Sequence, residues 1–240
     1  MVIIMDERTM RTEMLLGSDA MARLRAAHVA VFGLGGVGSW CAEALARAGV
    51  GALTLIDQDT VSVSNMNRQL CALSSTVDMP KAEVMAARLR DAAPDARITP
   101  VAARYEASER ERFFAQRYDY IADCIDIVSC KLDLIETALS RGVPILSALG
   151  TGNKLDASRL AITDISKTEG CPLSRVVRRE LRARGINHLT VVFSPEEALT
   201  PEQKETPPPG RRSVPGSAVW VPASAGLLMA QKIVRDIALV

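Results

Sequence analysis

The stretch from His28 to Gln69, HVAVFGLGGVGSWCAEALARAGVGALTLIDQDTVSVSNMNRQ, constrains this chain more than any other. An apolar run, Val29 to Phe32, enters a turn carrying Gly33, Gly35, Gly36 and Gly38. A helical pattern follows, then a second apolar run, Leu53 to Ile56, that ends in Asp57. The order is strand, glycine turn, helix, strand. Glycines at that turn let a phosphate approach backbone N–H groups at a helix N-terminus, where the helix dipole favours negative charge. An acid at the end of the second strand is placed to accept a ribose hydroxyl. The stretch is therefore expected to bind a nucleotide.

A glycine turn followed by an acid is first of all a dinucleotide fingerprint. The residues after Asp57 point elsewhere. Asp59, Asn65, Asn67, Arg68 and Gln69 crowd polar side chains behind the second strand, and Lys81 follows on the first turn of a helix opened by Asp78 and Pro80. Hydride transfer needs no such set. Departure of pyrophosphate does, because charge builds on phosphoryl oxygens and must be neutralised. A Rossmann protein that holds NAD, or that binds without catalysis, is the contrasting reading.

The chain has 240 residues, 48% of them apolar, enough for one substantial core. A single unit over 1–240 is expected: N-terminal helices to residue 27, a nucleotide-binding core over 28–149, and a substrate-side elaboration from 150 onward. The net charge of +1 gives no global pull toward nucleic acid, so any such contact must come from local clustering. Five cysteines lack a CxxC pair, which removes zinc knuckles and redox motifs of that spacing and fits reduced, mostly buried thiols in a cytoplasmic protein. The first ten residues are too short and too acidic for a signal peptide, and no run of about 18 apolar residues occurs.

Residues 8–25 read as one or two helices with Ser18 as an N-cap. Pro80 to Ala93 is an amphipathic helix, Arg97 to Ala102 a strand, Ala107 to Gln116 helical, and Tyr118 to Cys124 a buried parallel strand. That strand delivers Asp123 and Asp126 to its carboxyl end, where ligands of open α/β sheets bind; Asp123 suits a structural role. Ser129 is expected to cap the next helix, and Val143 to Ala148 is a strand. The alternation predicts an α/β fold with a Rossmann-like, doubly wound, mainly parallel sheet.

Beyond Gly150 the pattern gives an antiparallel strand over 159–165, a helix over 172–184 and a strand over 189–193. Glu196 to Ser217 contains five prolines and reads as a mobile connection. A closing helix from Pro222 to Ala238 would pack through Ala223, Leu227, Ala230 and Val234. Arg175, Arg178, Arg179 and Arg182 share one face of the 172–184 helix, opposite Leu173, Val177 and Leu181. That stripe is either a phosphate-contacting surface or a solvated face. Lys154, Arg159, Lys167, Arg211 and Arg212 add positive charge to the same half. Cys171, just before Pro172, is either a nucleophile or a packed helix-start residue.

The motifs GLGGVG, LIDQD, SNMNRQ, PKAE and DCID resemble, in order and spacing, the ubiquitin-activating-type adenylyltransferases, the ThiF, MoeB and HesA superfamily. GTGNKLD, DISKTEGCPL, RRELRARGI and VVFSPEE resemble its tRNA threonylcarbamoyladenosine dehydratase branch. The resemblance implies ATP and Mg²⁺ as cofactors, with Asp126 as metal ligand and Arg68 and Lys81 acting on the phosphates. Asp57, Asp59, Asn65, Gln69 and the four glycines would then hold the nucleotide. It also implies a homodimer in which Arg8 reaches the neighbouring subunit's ATP, the competing reading being a solvated terminal arginine. The implied substrate is the anticodon loop of tRNA, on which the carboxylate of threonylcarbamoyladenosine 37 is adenylated and then closed into a ring. The alternative is activation of a ubiquitin-like sulfur carrier; members of that branch commonly carry the zinc-binding CxxC pairs absent here, and a sulfur-relay or other accessory protein is left open as a partner.

Overall fold

The structure is a computed structural model that describes residues 7–204 and 214–239. It begins with two helices, α1 (Met10–Leu16) and α2 (Ser18–Ala26). They are separated by Gly17, whose φ of 86° turns the chain. Gly17, not Ser18, occupies the cap position of α2, and no side chain caps that helix.

Seven strands follow in one sheet: β1 (His28–Phe32), β2 (Ala52–Ile56), β3 (Arg97–Val101), β4 (Tyr120–Asp123), β5 (Ile145–Ala148), β6 (Ala161–Asp164) and β7 (Thr190–Phe193). Their order across the sheet is β3-β2-β1-β4-β5-β7-β6. Every pairing is parallel except β6 with β7, so the antiparallel strand read from the sequence closes one edge. β3 forms the other edge and carries Pro100, which lacks the N–H that an inner strand would need. The helices between strands are α3 (Gly38–Arg47), α4 (Lys81–Ala92), α5 (Arg110–Phe113), α6 (Val128–Ser140), α7 (Pro172–Ala183) and, last, α8 (Trp220–Ala238).

β1, β2, β4 and β5 are buried at every residue, as a parallel sheet covered on both faces requires. Successive side chains of β1 therefore enter different layers. Val29 and Val31 pack with Met21, Leu45, Met85 and Met229 under α2, α3, α4 and α8. Ala30 and Phe32 pack with Phe113, Leu134, Ile135 and Leu181 under α5, α6 and α7. Each such buried Leu or Ile contributes about 1.5–3 kcal/mol.

Three local expectations are corrected. The 107–116 segment is a single 3-10 turn followed by the four-residue α5. Ser129 lies inside α6, whose cap position belongs to Ile127. α8 is buried through Val221, Ala225, Met229 and Ile233 together with the expected Ala230, while Leu227 is half exposed, because Gly226 must face α3. A methyl group on Gly226 would overlap the Val37 carbonyl and stand 2.9 Å from the Cys41 nitrogen.

The chain runs outward from β1 to β2 and β3, then returns to place β4 on the other side of β1. Crossovers leave β1 and β4 in opposite directions, and a crevice opens where their carboxyl ends part.

Candidate active site

The cleft at that reversal has a volume of about 810 Å³. On one side it is lined by Gly33, Gly35, Gly36, Asp57, Asp59, Asn65, Arg68, Gln69, Lys81 and Asp126. Ten of the residues that the sequence assigned to nucleotide, phosphate or metal thus meet in one wall, drawn from the ends of β1, β2 and β4 and the loop before α4.

The four glycines divide the work. Gly33 has φ of 88°, and a Cβ there would stand 2.7 Å from the Cys124 carbonyl oxygen. A Cβ on Gly38 would overlap the Gly33 carbonyl. These two let α3 close against β1 and β4, and Gly38 does not reach the cleft surface. Gly35 is the open one: its nearest neighbour would be Gln69 Nε2 at 3.8 Å. No side chain caps α3, whose Ser39 N–H bonds to the Gly35 carbonyl at 3.2 Å, and the N-terminus of the helix faces the turn.

Asp57 braces this turn. Its Oδ2 accepts from the Leu34 N–H at 2.6 Å and its Oδ1 from the Asp59 N–H at 2.8 Å. Burial pushes its carboxyl above the usual range, partly opposed by those N–H groups and by Lys81. The Lys81 ammonium, itself buried, lies 3.1 Å from Asp59 Oδ2, and the Lys81 N–H bonds to the Asp59 carbonyl. Asn65 Oδ1 accepts from Ser62 N, which leaves its amide N–H₂ as a donor. Arg68 donates to Ser64 O at 3.1 Å and to Asn67 Oδ1 at 2.9 Å, and its carbonyl receives the Trp40 indole N–H.

At the end of β4 the two acids of DCID separate. Asp123 is fully buried and accepts from Lys131 Nζ at 2.6 Å, Ser147 Oγ at 2.7 Å and the Ile125 N–H at 3.1 Å. It is structural. Asp126, beyond the turn, lines the cleft. Lys131 was not singled out in the sequence; its only signal is a lysine within the apolar run of α6.

The opposite wall comprises Thr151 to Lys154, Cys171 to Leu173 and Pro215 to Ser217. Asn153, at φ of 60°, is its junction. Its N–H donates to Gly216 O at 2.7 Å, and its carbonyl accepts from the Leu199 N–H at 2.8 Å. Its Oδ1 accepts from the Gly216 N–H at 2.6 Å. Asn67 Nδ2 reaches Ser217 O at 2.9 Å, and the Trp220 indole donates to Leu155 O at 2.7 Å. Cys171 is buried beside Gly150, a packed helix-start residue that also touches the cleft.

Other expected contributors lie apart. Arg8 is outside this cleft and ion-paired with Asp95. On α7, Arg178 is half-buried and donates to the Thr168 carbonyl and, at 2.7 Å, to Thr168 Oγ1, so it anchors the loop before the helix. Arg179 pairs with Glu180 at 2.8 Å. Arg175 and Arg182 are exposed, with Val177 and Leu181 buried opposite them. Lys154 is buried rather than part of a basic surface. Arg211 and Arg212 lie outside the described residues. Among the described residues no cluster of three His, Cys, Asp or Glu forms a metal cage, and no helix is long and apolar enough to cross a membrane.

A doubly wound sheet with a glycine turn, phosphate-suited cations and carboxylates at its reversal point defines a nucleotide-binding α/β protein. The chain belongs to the ThiF family, whose model matches residues 7–238. It is similar to the tRNA threonylcarbamoyladenosine dehydratase of Bacillus subtilis, 39% identical over 236 residues that cover 95% of this chain and 93% of the relative. Its structure is similar to that of Escherichia coli tRNA N6-threonylcarbamoyladenosine dehydratase in complex with ATP. That likeness has a TM-score of 0.87 at 35% identity and covers 96% of this chain and 93% of the other. Similarity to the molybdopterin-synthase adenylyltransferase of Escherichia coli is more limited, 35% over 174 residues, or 72% of this chain and 66% of the relative.

Proposed function

We propose that this chain dehydrates threonylcarbamoyladenosine at position 37 of tRNA at the expense of ATP. The observation that carries the proposal is the convergence, in one cleft, of the glycine turn with Asp57, Arg68, Lys81 and Asp126, in a chain similar over nearly its whole length to dehydratases of that name.

A carboxylate is a poor electrophile because oxide would have to leave. Attack of the threonyl carboxylate on the α-phosphorus of ATP expels pyrophosphate and converts that oxygen into part of an AMP leaving group. The neighbouring urea then attacks the acyl carbon, a ring closes, and AMP departs with the oxygen that would otherwise leave as water. No enzyme nucleophile is needed, since the intramolecular arrangement supplies a high effective molarity.

The roles follow from position. The turn and the α3 N-terminus take phosphate, Asp57 takes ribose, and Asn65 and Gln69 offer amide N–H donors. Asp59 orients Lys81, which with Arg68 neutralises the departing pyrophosphate. Asp126 would hold Mg²⁺. A carboxylate lining the cleft is a hard oxygen donor that suits such a cation. Bound there, the ion supplies charge neutralisation at the phosphates.

Arg8 and α1 support a homodimer. α1 has no buried residue, Met14 and Leu15 are 78% and 87% exposed, and Arg8 stands outside its own cleft. A partner covering α1 would give Arg8 a second site to act on. The anticodon loop would approach the cleft mouth, with the exposed Arg175 and Arg182 facing phosphates and Arg179 shared with Glu180.

The test is to incubate the chain with ATP, Mg²⁺ and threonylcarbamoylated tRNA and follow AMP release together with the mass of the modified nucleoside. Loss of one water per AMP is expected. Pyrophosphate exchange stimulated instead by a small protein ending in Gly-Gly would identify a sulfur-carrier adenylyltransferase.

A further inference from the structure

One buried cation in the cleft has no assignment. The side of the cleft formed by Thr151 to Lys154, Cys171 to Leu173, Ala198 and Pro215 to Ser217 contains a single charged side chain, Lys154. It is 3% exposed. Its ammonium donates to the Ser194 carbonyl at 3.1 Å and to the Glu196 carbonyl, and no carboxylate ion-pairs with it among the described residues. The carboxylate of Glu196 accepts the N–H groups of Leu155 and Asp156 at 2.9 and 3.1 Å and acts on Lys154 only without direct contact.

The other lysine of the cleft behaves differently: Lys81 faces Asp59 across 3.1 Å. An ammonium taken out of water without a counter-ion is costly, so a purely structural lysine is normally given one. Lys154 has two neutral acceptors for three N–H donors. Burial foremost, and the charge of Arg159, hold its ammonium below the usual lysine range, only partly offset by Cys171 and Glu196. Lys154 thus lines the cleft with two of its three N–H donors given to carbonyls and none to a carboxylate among the described residues.

We infer that Lys154 is the receptor for the acceptor acid: it binds the carboxylate of the substrate and presents it to the nucleotide held on the opposite wall. This rests on the adenylation reading above and specifies which residue recognises the group to be activated. The placement suits the chemistry. Ser194 follows β7 and Lys154 follows β5, on the side of β4 away from the glycine turn. A carboxylate held there is drawn from the side of the cleft that the nucleotide residues leave open, and it completes the hydrogen bonding of Nζ. Adenylation consumes the anion's charge, so the lysine favours the free acid over the acyl-adenylate and does not trap the intermediate.

The experiment compares the wild-type chain with Lys154→Gln, which keeps donors for the two carbonyls without the charge, and with Lys154→Arg, which keeps the charge. Binding of threonylcarbamoylated tRNA is measured beside the same tRNA with an unmodified adenosine, and AMP release gives KM for each substrate. Lys154→Gln is expected to lose the preference for the modified tRNA and to raise its KM roughly tenfold or more, the worth of a charge-assisted hydrogen bond. The dissociation constant for ATP should move less than about twofold. Lys154→Arg should retain part of the preference. An unchanged preference in Lys154→Gln, with AMP still released, overturns the inference and leaves the dehydratase reading standing. A wild-type chain that releases no AMP with the modified tRNA overturns that reading and the inference with it. Should Lys154→Gln fail to melt cooperatively, Lys154→Arg against Lys154→Met provides the same contrast.

Discussion

The Lys131 ammonium and the Asp123 carboxylate meet at 2.6 Å with both side chains fully removed from solvent. Ser147 and the Ile125 N–H complete the acid's hydrogen bonding. The pair therefore fixes the turn that delivers Asp126. Lys131→Met strands a buried charge and should cost about 3–5 kcal/mol in chemical denaturation. Adding Asp123→Asn to that variant should recover most of the loss, since a neutral amide keeps partners in Ser147 and Ile125. A double variant as unstable as the single one would show that charge pairing is not what holds the turn.

The glycine turn predicts two separable phenotypes. Gly38→Ala forces a methyl group into the Gly33 carbonyl and should destabilise the fold by about 3 kcal/mol or more. Gly35→Ala meets only Gln69 Nε2 at ordinary contact distance, so its unfolding curve should match wild type while ATP binding weakens. Calorimetric ATP titration beside thermal unfolding separates them.

Lys81→Ala removes one cation from the departing pyrophosphate and releases Asp59. AMP formation should fall about 100-fold, with a much smaller change in the dissociation constant for ATP. Asp126→Asn should abolish the Mg²⁺ dependence of whatever activity remains. Full Mg²⁺-stimulated turnover in that variant would withdraw the metal assignment.

His28 couples stability to pH. It is buried at the start of β1, with Nε2 2.8 Å from Thr54 Oγ1, and burial foremost, then Arg97, holds its imidazole below 6.5. In the unfolded chain it takes up a proton near pH 6.5, while in the fold it stays neutral to lower pH. Its contribution is therefore fully present above 6.5 and is lost as pH falls toward the lowered folded value. His28→Gln should flatten the dependence of the melting temperature between about pH 5 and pH 7.

On α7 the arginines should not behave as one stripe. Arg178→Ala should lower the melting temperature, because it frees the loop at Thr168. Arg175→Ala with Arg182→Ala should leave melting unchanged, weaken tRNA binding and reduce the slope of affinity against salt by about one to two. An unchanged salt slope would leave that face merely solvated.

Much of this molecule was legible because its central signal is local. Glycine turn, strand-end acid and following cations lie within one stretch of chain, and their spacing alone places them on one wall. The antiparallel β6 was legible from a break in the βα rhythm. The opposite wall was not, because Asn153, Leu199 and Gly216 are brought together only by tertiary structure. Lys154 looked like surface charge for the same reason: nothing in GTGNK announces that β7 will bury it. The stripe on α8 held at Ala230 but failed at Leu227, because helical periodicity ranks side chains by apolarity, whereas close approach to α3 demands the residue with no side chain, Gly226.

That seam ties the last helix to the first turn of the cleft. α3 begins at the phosphate turn and α8 is the last helix of the chain, and at Gly226 their backbones stand too close for a methyl group to pass. Pro222, one turn earlier in α8, borders the cleft itself. The seam therefore leaves α3 and α8 no room to slide past one another. Because α8 also carries Pro222 to the cleft, where it would meet a methyl group on Gly36 at 3.2 Å, the seat of the final helix and the shape of the glycine turn are set together.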